Sequence, residues 1–342
     1  MSLIDVIIYK EYTTPAGTIF CPHNINVAEE ALRLYTMCNV QTFNPNLFMD
    51  WLFYPSMEQI YEAHNQKHNF FPQDNYKFNR VENNNKKVLV AFSGGLDSMY
   101  QVIYLLEQGY EVYLYHVANI NYYTNGKEKQ ICQQFATEHR LPLIISTFKQ
   151  NTKKDNAFKK YWKENSFKNI LIYSMMLDYC LQYNIHNISC GDDLRLDIKD
   201  AVVGTNIADA KQITIPFAFE VAVKTGIRSI FVNHNTNKAQ RLEKLLTNDC
   251  INEFYSCVNP GRFNQSNHNR IEQKYNVHME KYNCGVCRKC AFHSLLRHYY
   301  LNEPYNKEFI DFCWQKIAIG ADYEFFKPTL PLETRINNLI TY

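Results

Sequence analysis

The sequence contains no apolar run that approaches the roughly 18 residues needed to span a bilayer. Its first residues, MSLIDVIIYKEY, lack the basic start, the long apolar core and the small-residue cleavage site of a secretory signal peptide. These two absences predict a cytoplasmic protein that has no membrane partner.

An excess of charge of either sign is also absent. The chain has 36 Lys and Arg against 34 Asp and Glu, a formal net charge of +2, which is too small to create an overall field that attracts nucleic acid. Lysines and aromatic residues do mix in NTKKDNAFKKYWK, within residues 149–163. A solvated surface explains that segment better than an RNA contact. Nucleic acid therefore stays open as a partner without being indicated.

A disulfide framework is not expected, because eleven cysteines is an odd number and a reducing compartment keeps thiols reduced. Instead, Cys284, Cys287 and Cys290 have CxxCxxC spacing, and Cys257 lies upstream. Three thiolates at this spacing converge on one metal ion, and a distant fourth completes a tetrahedron. We predict a closed, structural Zn²⁺ site, with an iron–sulfur cluster as the alternative. Ordinary reduced, buried thiols fit isolated cysteines better than this triplet.

Changes in composition along the chain predict four regions. Residues 1–73 are rich in aromatic residues and lack a clear period, so we predict a separate N-terminal region. Residues 74–87 are polar and rich in asparagine, as in a linker. Residues 88–250 are predicted to form a nucleotide-binding domain, and residues 251–342 a zinc-binding and helical C-terminal region.

Short apolar runs alternate with segments of helical period after residue 87. Strands are predicted at 88–92, 111–118, 143–148 and 187–190, and helices at 98–108, 127–139 and 169–183. This alternation predicts an α/β fold with a Rossmann-like, doubly wound parallel sheet. Such sheets bind ligands at the carboxyl ends of their strands, where the segments 93–98 and 191–193 both fall.

The segment KVLVAFSGGLDS, residues 87–98, joins a predicted strand to a predicted helix. Gly94 and Gly95 let backbone amides approach an anion, and the start of the helix adds its positive end. Ser93 and Ser98 supply hydroxyl donors. Asp97 is expected either to cap the helix or to hold Mg²⁺ against phosphates. Neither the Walker motif GxxxxGKS/T nor GxGxxG is present; a serine-glycine turn with a helix cap is the alternative.

SGGLDS resembles the PP-loop of the N-type ATP pyrophosphatases. The resemblance implies an adenine nucleotide alpha hydrolase-like fold, ATP and Mg²⁺ as cofactors, and transfer of AMP to a substrate oxygen with release of pyrophosphate. It implies contacts with ATP by Phe92, Ser93, Gly94, Gly95, Leu96, Asp97 and Ser98. Asp97 and Ser98 are expected to act in catalysis, as is Lys238 through phosphate charge. Asn169, Gly191 and the backbone near Val117 are expected to shape the adenosine site.

The order of further motifs, over residues 88–300, resembles the 7-cyano-7-deazaguanine synthase family. The matching segments are Lys168-Asn169, Ser189–Asp192, Asn237–Ala239, Ser256–Asn259 and the cysteine triplet. This resemblance implies a deazaguanine carboxylate and ammonia as substrates, an amide and then a nitrile as products, and a homodimer. Residues 116–123, HVANINYY, depart from the family's Tyr-Gly-Gln-Arg-His-like segment, and the insertion between Cys257 and Cys284 is long.

Three other functions stay open. They are a tRNA-modifying, thiolating PP-loop enzyme, a divergent synthase-like enzyme of a viral DNA-modification or antiviral-defence system acting on a deazaguanine or a protein, and a non-catalytic nucleotide-binding module. For an enzyme, we expect Asp97→Asn to abolish ATP–pyrophosphate exchange and to leave the fold intact.

Overall fold

The computed structural model describes residues 9–14, 17–28, 85–119, 127–150, 167–190, 225–233, 236, 238–247, 265–279, 288–304 and 306–316. The strands are β1 (Lys10–Thr14), β2 (Gly17–Cys21), β3 (Lys87–Ala91), β4 (Glu111–Ala118), β5 (Leu143–Gln150), β6 (Asn187–Ser189) and β7 (Arg228–Ile230). The helices are α1 (Leu96–Glu107), α2 (Lys127–Glu138), α3 (Phe167–Tyr183), α4 (Lys238–Thr247), α5 (Gln265–Tyr275), α6 (Arg288–Leu301) and α7 (Lys307–Lys316).

All seven strands belong to one sheet with the order β1-β2-β5-β4-β3-β6-β7. Strands β3 to β7 pair in parallel. From β3 the chain moves outward through β4 to β5, and it then returns to the other side of β3 to form β6 and β7. The switch in direction lies between β3 and β6, which is where doubly wound sheets bind ligands. The predicted α/β, mostly parallel, Rossmann-like sheet is confirmed; β7 was not predicted.

The central strand β3 is apolar because both of its faces are covered. Val88, Leu89 and Val90 have no exposed surface, as expected for a strand between two helical layers. Val88 and Val90 join one core cluster with residues of α1, α2 and α4. On β4, His116 contacts Cys132 of α2. The neighbouring Tyr115 contacts His23, which in turn contacts Met175 of α3. Successive residues of a strand point to opposite faces, so α2 and α3 cover opposite faces of the sheet.

Helices α4, α6 and α7 extend the layer that contains α1. Helix α4 packs on α1 and α6, and α6 packs on α7. Leu242 and Leu245 of α4, Leu295 of α6 and Phe309 of α7 are buried in the same core cluster as α1. The described helices of the predicted C-terminal region thereby reach the sheet through α4. Within the described parts of the chain, no helix combines the length and apolar character that a membrane crossing requires.

The prediction of a separate N-terminal region is wrong for its described part. Strands β1 and β2 form an antiparallel hairpin, and β2 pairs antiparallel with β5, from Gly17 opposite Gln150 to Phe20 opposite Thr147. The sheet is therefore mixed rather than wholly parallel. Lys87, assigned to the linker, belongs to β3. The remaining region boundaries stay predictions.

The residues that follow β2 are fastened to α3 by polar contacts. The Asp178 carboxylate accepts hydrogen bonds from the backbone N–H groups of Asn26, Val27 and Ala28 at 3.0–3.1 Å. The buried His23 ring donates from Nε2 to the carbonyl oxygen of Met175 at 3.2 Å. Hydrogen bonds to an ionised carboxylate are charge-assisted, so Asp178 binds the N-terminal segment to α3.

We predict that Asp178→Asn destabilises the protein by about 1–3 kcal/mol, because the amide keeps only one acceptor oxygen for three backbone donors, two of them buried. The free energy of unfolding from urea titration measures this loss. The control is Asp311→Asn, which removes a surface carboxylate paired with Lys307 at 2.6 Å and should change stability by less than about 0.5 kcal/mol. Equal losses of unfolding free energy in the two variants would contradict a stabilising role for the three hydrogen bonds to Asp178.

Candidate functional site

The SGGLDS segment forms the connection between the central strand and α1. Strand β3 ends at Ala91, Gly95 is the N-cap residue of α1 with φ −86° and ψ 162°, and the helix begins at Leu96, two residues earlier than predicted. The loop thus lies at the carboxyl end of β3, beside the switch point. Its backbone N–H groups and the positive end of α1 are the features that bind anions at such positions.

Gly94 is required at its position for two independent reasons. Its φ is +69°, in the left-handed region that glycine adopts at no steric cost. A Cβ atom there would lie 2.6 Å from Cγ2 of Ile131 on α2. The loop is therefore turned sharply and packed directly on α2.

Ser98 braces this loop from inside. Its side chain is buried, and its hydroxyl donates to the Gly95 carbonyl oxygen at 3.0 Å and accepts from the Ser93 backbone N–H at 3.3 Å. The Ser93 hydroxyl lies 3.4 Å from it. Because its one hydrogen serves the loop, Ser98 maintains the loop geometry here; its predicted part in catalysis stays a prediction.

Asp97 does not cap the helix. Gly95 occupies the cap position, and no side chain makes a cap hydrogen bond there. Instead, Oδ1 of Asp97 accepts a hydrogen bond from Nη1 of Arg241 on α4 at 2.7 Å. The Arg241 side chain has no exposed surface, whereas that of Asp97 is 31% exposed. The capping alternative is therefore wrong, and the Asp97 carboxylate lies between a buried cation and the surface of the loop.

Arg241 also holds the chain that follows β7. Its Nη2 group donates to the carbonyl oxygens of Asn233 and Thr236 at 2.6 Å and 2.5 Å, and its Nε donates to Oγ1 of Thr236 at 3.0 Å. Sequence reasoning missed this residue, because an arginine in the amphipathic segment KAQRLEKLLT is expected on the surface. Its role follows only from tertiary contacts.

The Arg241 contact changes the expected effect of Asp97→Asn. Removing one partner of a buried ion pair leaves the other charge uncompensated, which costs about 3–5 kcal/mol for fully buried pairs. Exposure of Asp97 moves the expected loss to the lower end of that range. Asp97→Asn should therefore lower stability as well as activity, and the expectation of an intact fold is revised.

A buried histidine lies directly behind the loop. His116 Nδ1 lies 2.9 Å from the Phe92 carbonyl oxygen and 3.5 Å from Sγ of Cys132. Burial lowers the pKa of His116 to about 4, so the ring is neutral at pH 7 and Nδ1 carries the hydrogen that it donates to Phe92. A pKa lowered on folding adds stability above pH 6.5 that is lost as the pH falls towards 4. Nε2 is buried and has no hydrogen-bond partner among the described residues.

The other predicted ATP-site residues fall into two groups. Phe92, Leu96 and Val117 are buried core residues at the ends of neighbouring elements, and the Phe92 ring packs on Phe135 with centroids 4.9 Å apart. These side chains belong to the core that supports the loop. Asn169 lies in the first turn of α3 and Lys238 begins α4. Gly191 lies outside the described residues.

Of the four predicted zinc ligands, Cys290 is the one that lies within the described residues. It is buried near the start of α6 and forms no disulfide. Cys257, Cys284 and Cys287 lie outside the described residues. In the part of the chain that the structure describes, no three Cys, His, Asp or Glu side chains group as a metal site requires.

The fold is a mostly parallel α/β sheet of the Rossmann-like class, with the SGGLDS loop at the carboxyl end of its central strand. Residues 86–175 match the family model of the tRNA methyl transferase HUP domain. The matched stretch contains β3, the SGGLDS loop, α1, β4, α2, β5 and the start of α3.

Individual relatives match over limited parts of their length. A segment of 59 residues is 44% identical to 7-cyano-7-deazaguanine synthase 2 of Sulfurisphaera tokodaii and covers 17% of this chain and 13% of that protein. Among solved structures, a predicted subunit of tRNA methyltransferase from Methanocaldococcus jannaschii has 12% identity and a TM-score of 0.31, over 47% of this chain and 75% of its own. The U34-tRNA thiolase NcsA from Methanococcus maripaludis, with its 4Fe–4S cluster, has 16% identity and a TM-score of 0.36, over 58% and 70%.

We predict that Gly94→Ala abolishes binding of ATP, because the new methyl group must displace the loop from α2. Gly109→Ala is the matched control: Gly109 also has a positive φ, +73°, but a Cβ there would lie no closer than 3.6 Å to any neighbour. Both variants should lose about 1–2 kcal/mol of stability for the left-handed backbone, and Gly94→Ala should lose more because its methyl group meets Ile131. Unfolding titrations and calorimetric ATP binding measure the two effects. If Gly94→Ala binds ATP as tightly as Gly109→Ala, the loop is not the binding site.

Proposed function

We propose that the chain is an ATP-dependent enzyme that adenylates an oxygen atom of its substrate. The observation that carries the proposal is the SGGLDS loop, with left-handed Gly94 between the central strand and the start of α1. The substrate oxygen attacks the α-phosphorus, the bond to the bridging oxygen breaks, and pyrophosphate leaves with the electron pair. Fixed N–H donors that face the departing charge lower the barrier of such a step.

The residues of the loop fit this chemistry. Left-handed Gly94 lets the backbone turn sharply at the end of the central strand, and Asp97 would supply the hard oxygen ligand that Mg²⁺ prefers. Mg²⁺, when bound, neutralises charge on the phosphates. Ser93, Gly95 and Ser98 hold the loop in shape, and Lys238, at the start of α4, is proposed to add positive charge on the same edge.

The proposed acceptor is the carboxylate of 7-carboxy-7-deazaguanine. The support is the 59-residue identity with a 7-cyano-7-deazaguanine synthase. Ammonia would attack the acyl adenylate, release AMP and give the amide. Adenylation of the amide oxygen by a second ATP, followed by loss of AMP, would give the nitrile. A homodimer is expected on the same ground.

A tRNA base is the second candidate acceptor. The observation that favours it is the family match of residues 86–175, whose description names a tRNA-modifying class. The adenylation step is the same in both candidates, so the phosphate-binding loop does not distinguish them. The difference lies in the molecule that must be present for ATP turnover.

We predict that the protein with Mg²⁺ and ATP exchanges radiolabelled pyrophosphate into ATP when its acceptor is present. Two parallel reactions identify the acceptor: one contains 7-carboxy-7-deazaguanine and ammonia, the other bulk tRNA with a sulfur donor. Mass spectrometry of the first should show the amide or the nitrile. Turnover with tRNA alone would replace the first acceptor by the second. ATP binding without exchange in either reaction would identify a binding module and overturn the proposal.

We also propose that Cys257, Cys284, Cys287 and Cys290 bind one Zn²⁺. Four thiolates form a closed tetrahedral set of the kind found in structural zinc sites. Buried Cys290 at the start of α6 would link such a site to the core cluster.

We predict about one zinc per chain by elemental analysis, because four thiolates complete one tetrahedral site. Cys290→Ser should lower the zinc content and the melting temperature. The control is Cys313→Ser, which removes a buried thiol outside the predicted ligand set and should leave the zinc content unchanged. Iron with a broad visible absorption band would show a cluster instead, and metal-free protein would exclude both.

A further inference from the structure

We propose that Arg241 is a positioning residue for the candidate ATP site: its guanidinium fixes the Asp97 carboxylate and locks the chain after β7 against the phosphate-binding loop. The proposal rests on the function proposed above, because it concerns how ATP and Mg²⁺ are held. Arg241 itself lies behind Asp97, fully buried, so its effect on a ligand would pass through Asp97.

The contacts of Arg241 join two strand ends of one sheet edge. Arg241 donates one hydrogen bond to Asp97, in the first turn of α1, which follows β3. It donates three more to Asn233 and Thr236, which follow β7. The guanidinium group is planar and its donors have a fixed spacing. The two chain segments are therefore held at a fixed separation, which a flexible side chain with one donor group would not achieve.

The buried charge also bears on anion binding. A carboxylate in the first turn of α1 repels a polyphosphate that approaches the loop, and at short range in a protein this repulsion is considerable. The guanidinium lies 2.7 Å from that carboxylate on its inner side and offsets its charge. With Arg241 present, Asp97 remains an oxygen ligand for Mg²⁺ while the loop carries little net charge.

Loss of Arg241 should therefore change the magnesium dependence of ATP binding. Asp97 would keep its negative charge, lose its fixed position and repel the nucleotide until more Mg²⁺ is bound. A purely structural arginine would behave differently, since its removal would lower the melting temperature without altering the magnesium concentration needed by the protein that remains folded.

The chain offers a matched control on the same two helices. Lys244 of α4 pairs with Glu107 of α1 at 2.7 Å, and both side chains are partly exposed. This pair also joins α4 to α1, but Glu107 is at the far end of α1 from the loop. Lys244→Met thus removes one positive charge and one α4–α1 contact without touching Asp97.

The test compares Arg241→Met, Arg241→Lys and Lys244→Met with the unchanged chain. ATP binding and pyrophosphate exchange are measured over a range of Mg²⁺ concentrations, and melting temperatures are recorded separately. We expect Arg241→Met to raise the half-saturating Mg²⁺ concentration by about five-fold or more and to lower kcat/KM by about ten-fold or more. Arg241→Lys, which keeps the charge without the planar fork, should recover part of both effects, and Lys244→Met should show neither.

A variant that fails to fold does not end the test. If Arg241→Met is insoluble, Arg241→Lys and Thr236→Val supply the readout, because both retain the positive charge and disturb only the hydrogen bonds. An unchanged magnesium dependence in the folded Arg241 variants would overturn the positioning role. Absence of ATP binding and exchange in the unchanged chain would overturn the proposed function instead, so the two failures are distinct.

Discussion

The ion pair between Arg241 and Asp97 is the interaction on which the geometry of the candidate site depends. A guanidinium group with no exposed surface requires fixed acceptors in every direction in which it donates. Those acceptors are supplied by the first turn of α1 and by the chain after β7. The need to satisfy one buried charge therefore determines how the first turn of α1 and the chain after β7 approach each other.

Local sequence was sufficient to predict the central part of the fold. In β3 three consecutive aliphatic residues are buried, and Gly94 adopts a conformation that few other residues adopt. Both features can be read from a few adjacent residues in the sequence. Strands β1, β2 and β7 are short and mix polar with apolar residues, so they lack the continuous apolar run that identifies β3. The partnership of Arg241 with Asp97 spans 144 positions, and no local pattern encodes such a contact.

The loop proposed to bind phosphate follows β3, whereas the residues whose sequence departs from the synthase family begin in β4. The loop between β3 and α1, with its brace at Ser98, lies at the end of the central strand, where phosphate binding is expected in this class of fold. Substrate choice in such folds depends on the loops that follow neighbouring strands. Residues 116–118 complete β4, and the sequence of residues 116–123 departs from the synthase family. The proposed adenylation step depends on the loop after β3, and the choice of acceptor would depend on the residues that differ from the synthase family.

The N-terminal hairpin has a consequence for assembly. Strand β2 occupies the hydrogen-bonding edge of β5, so a second copy of the chain has no access to that edge for sheet extension. The new edge strand, β1, is short and exposes charged residues such as Lys10 and Glu11, features that discourage edge-to-edge aggregation. A symmetric dimer therefore cannot form by continuing the sheet at β5.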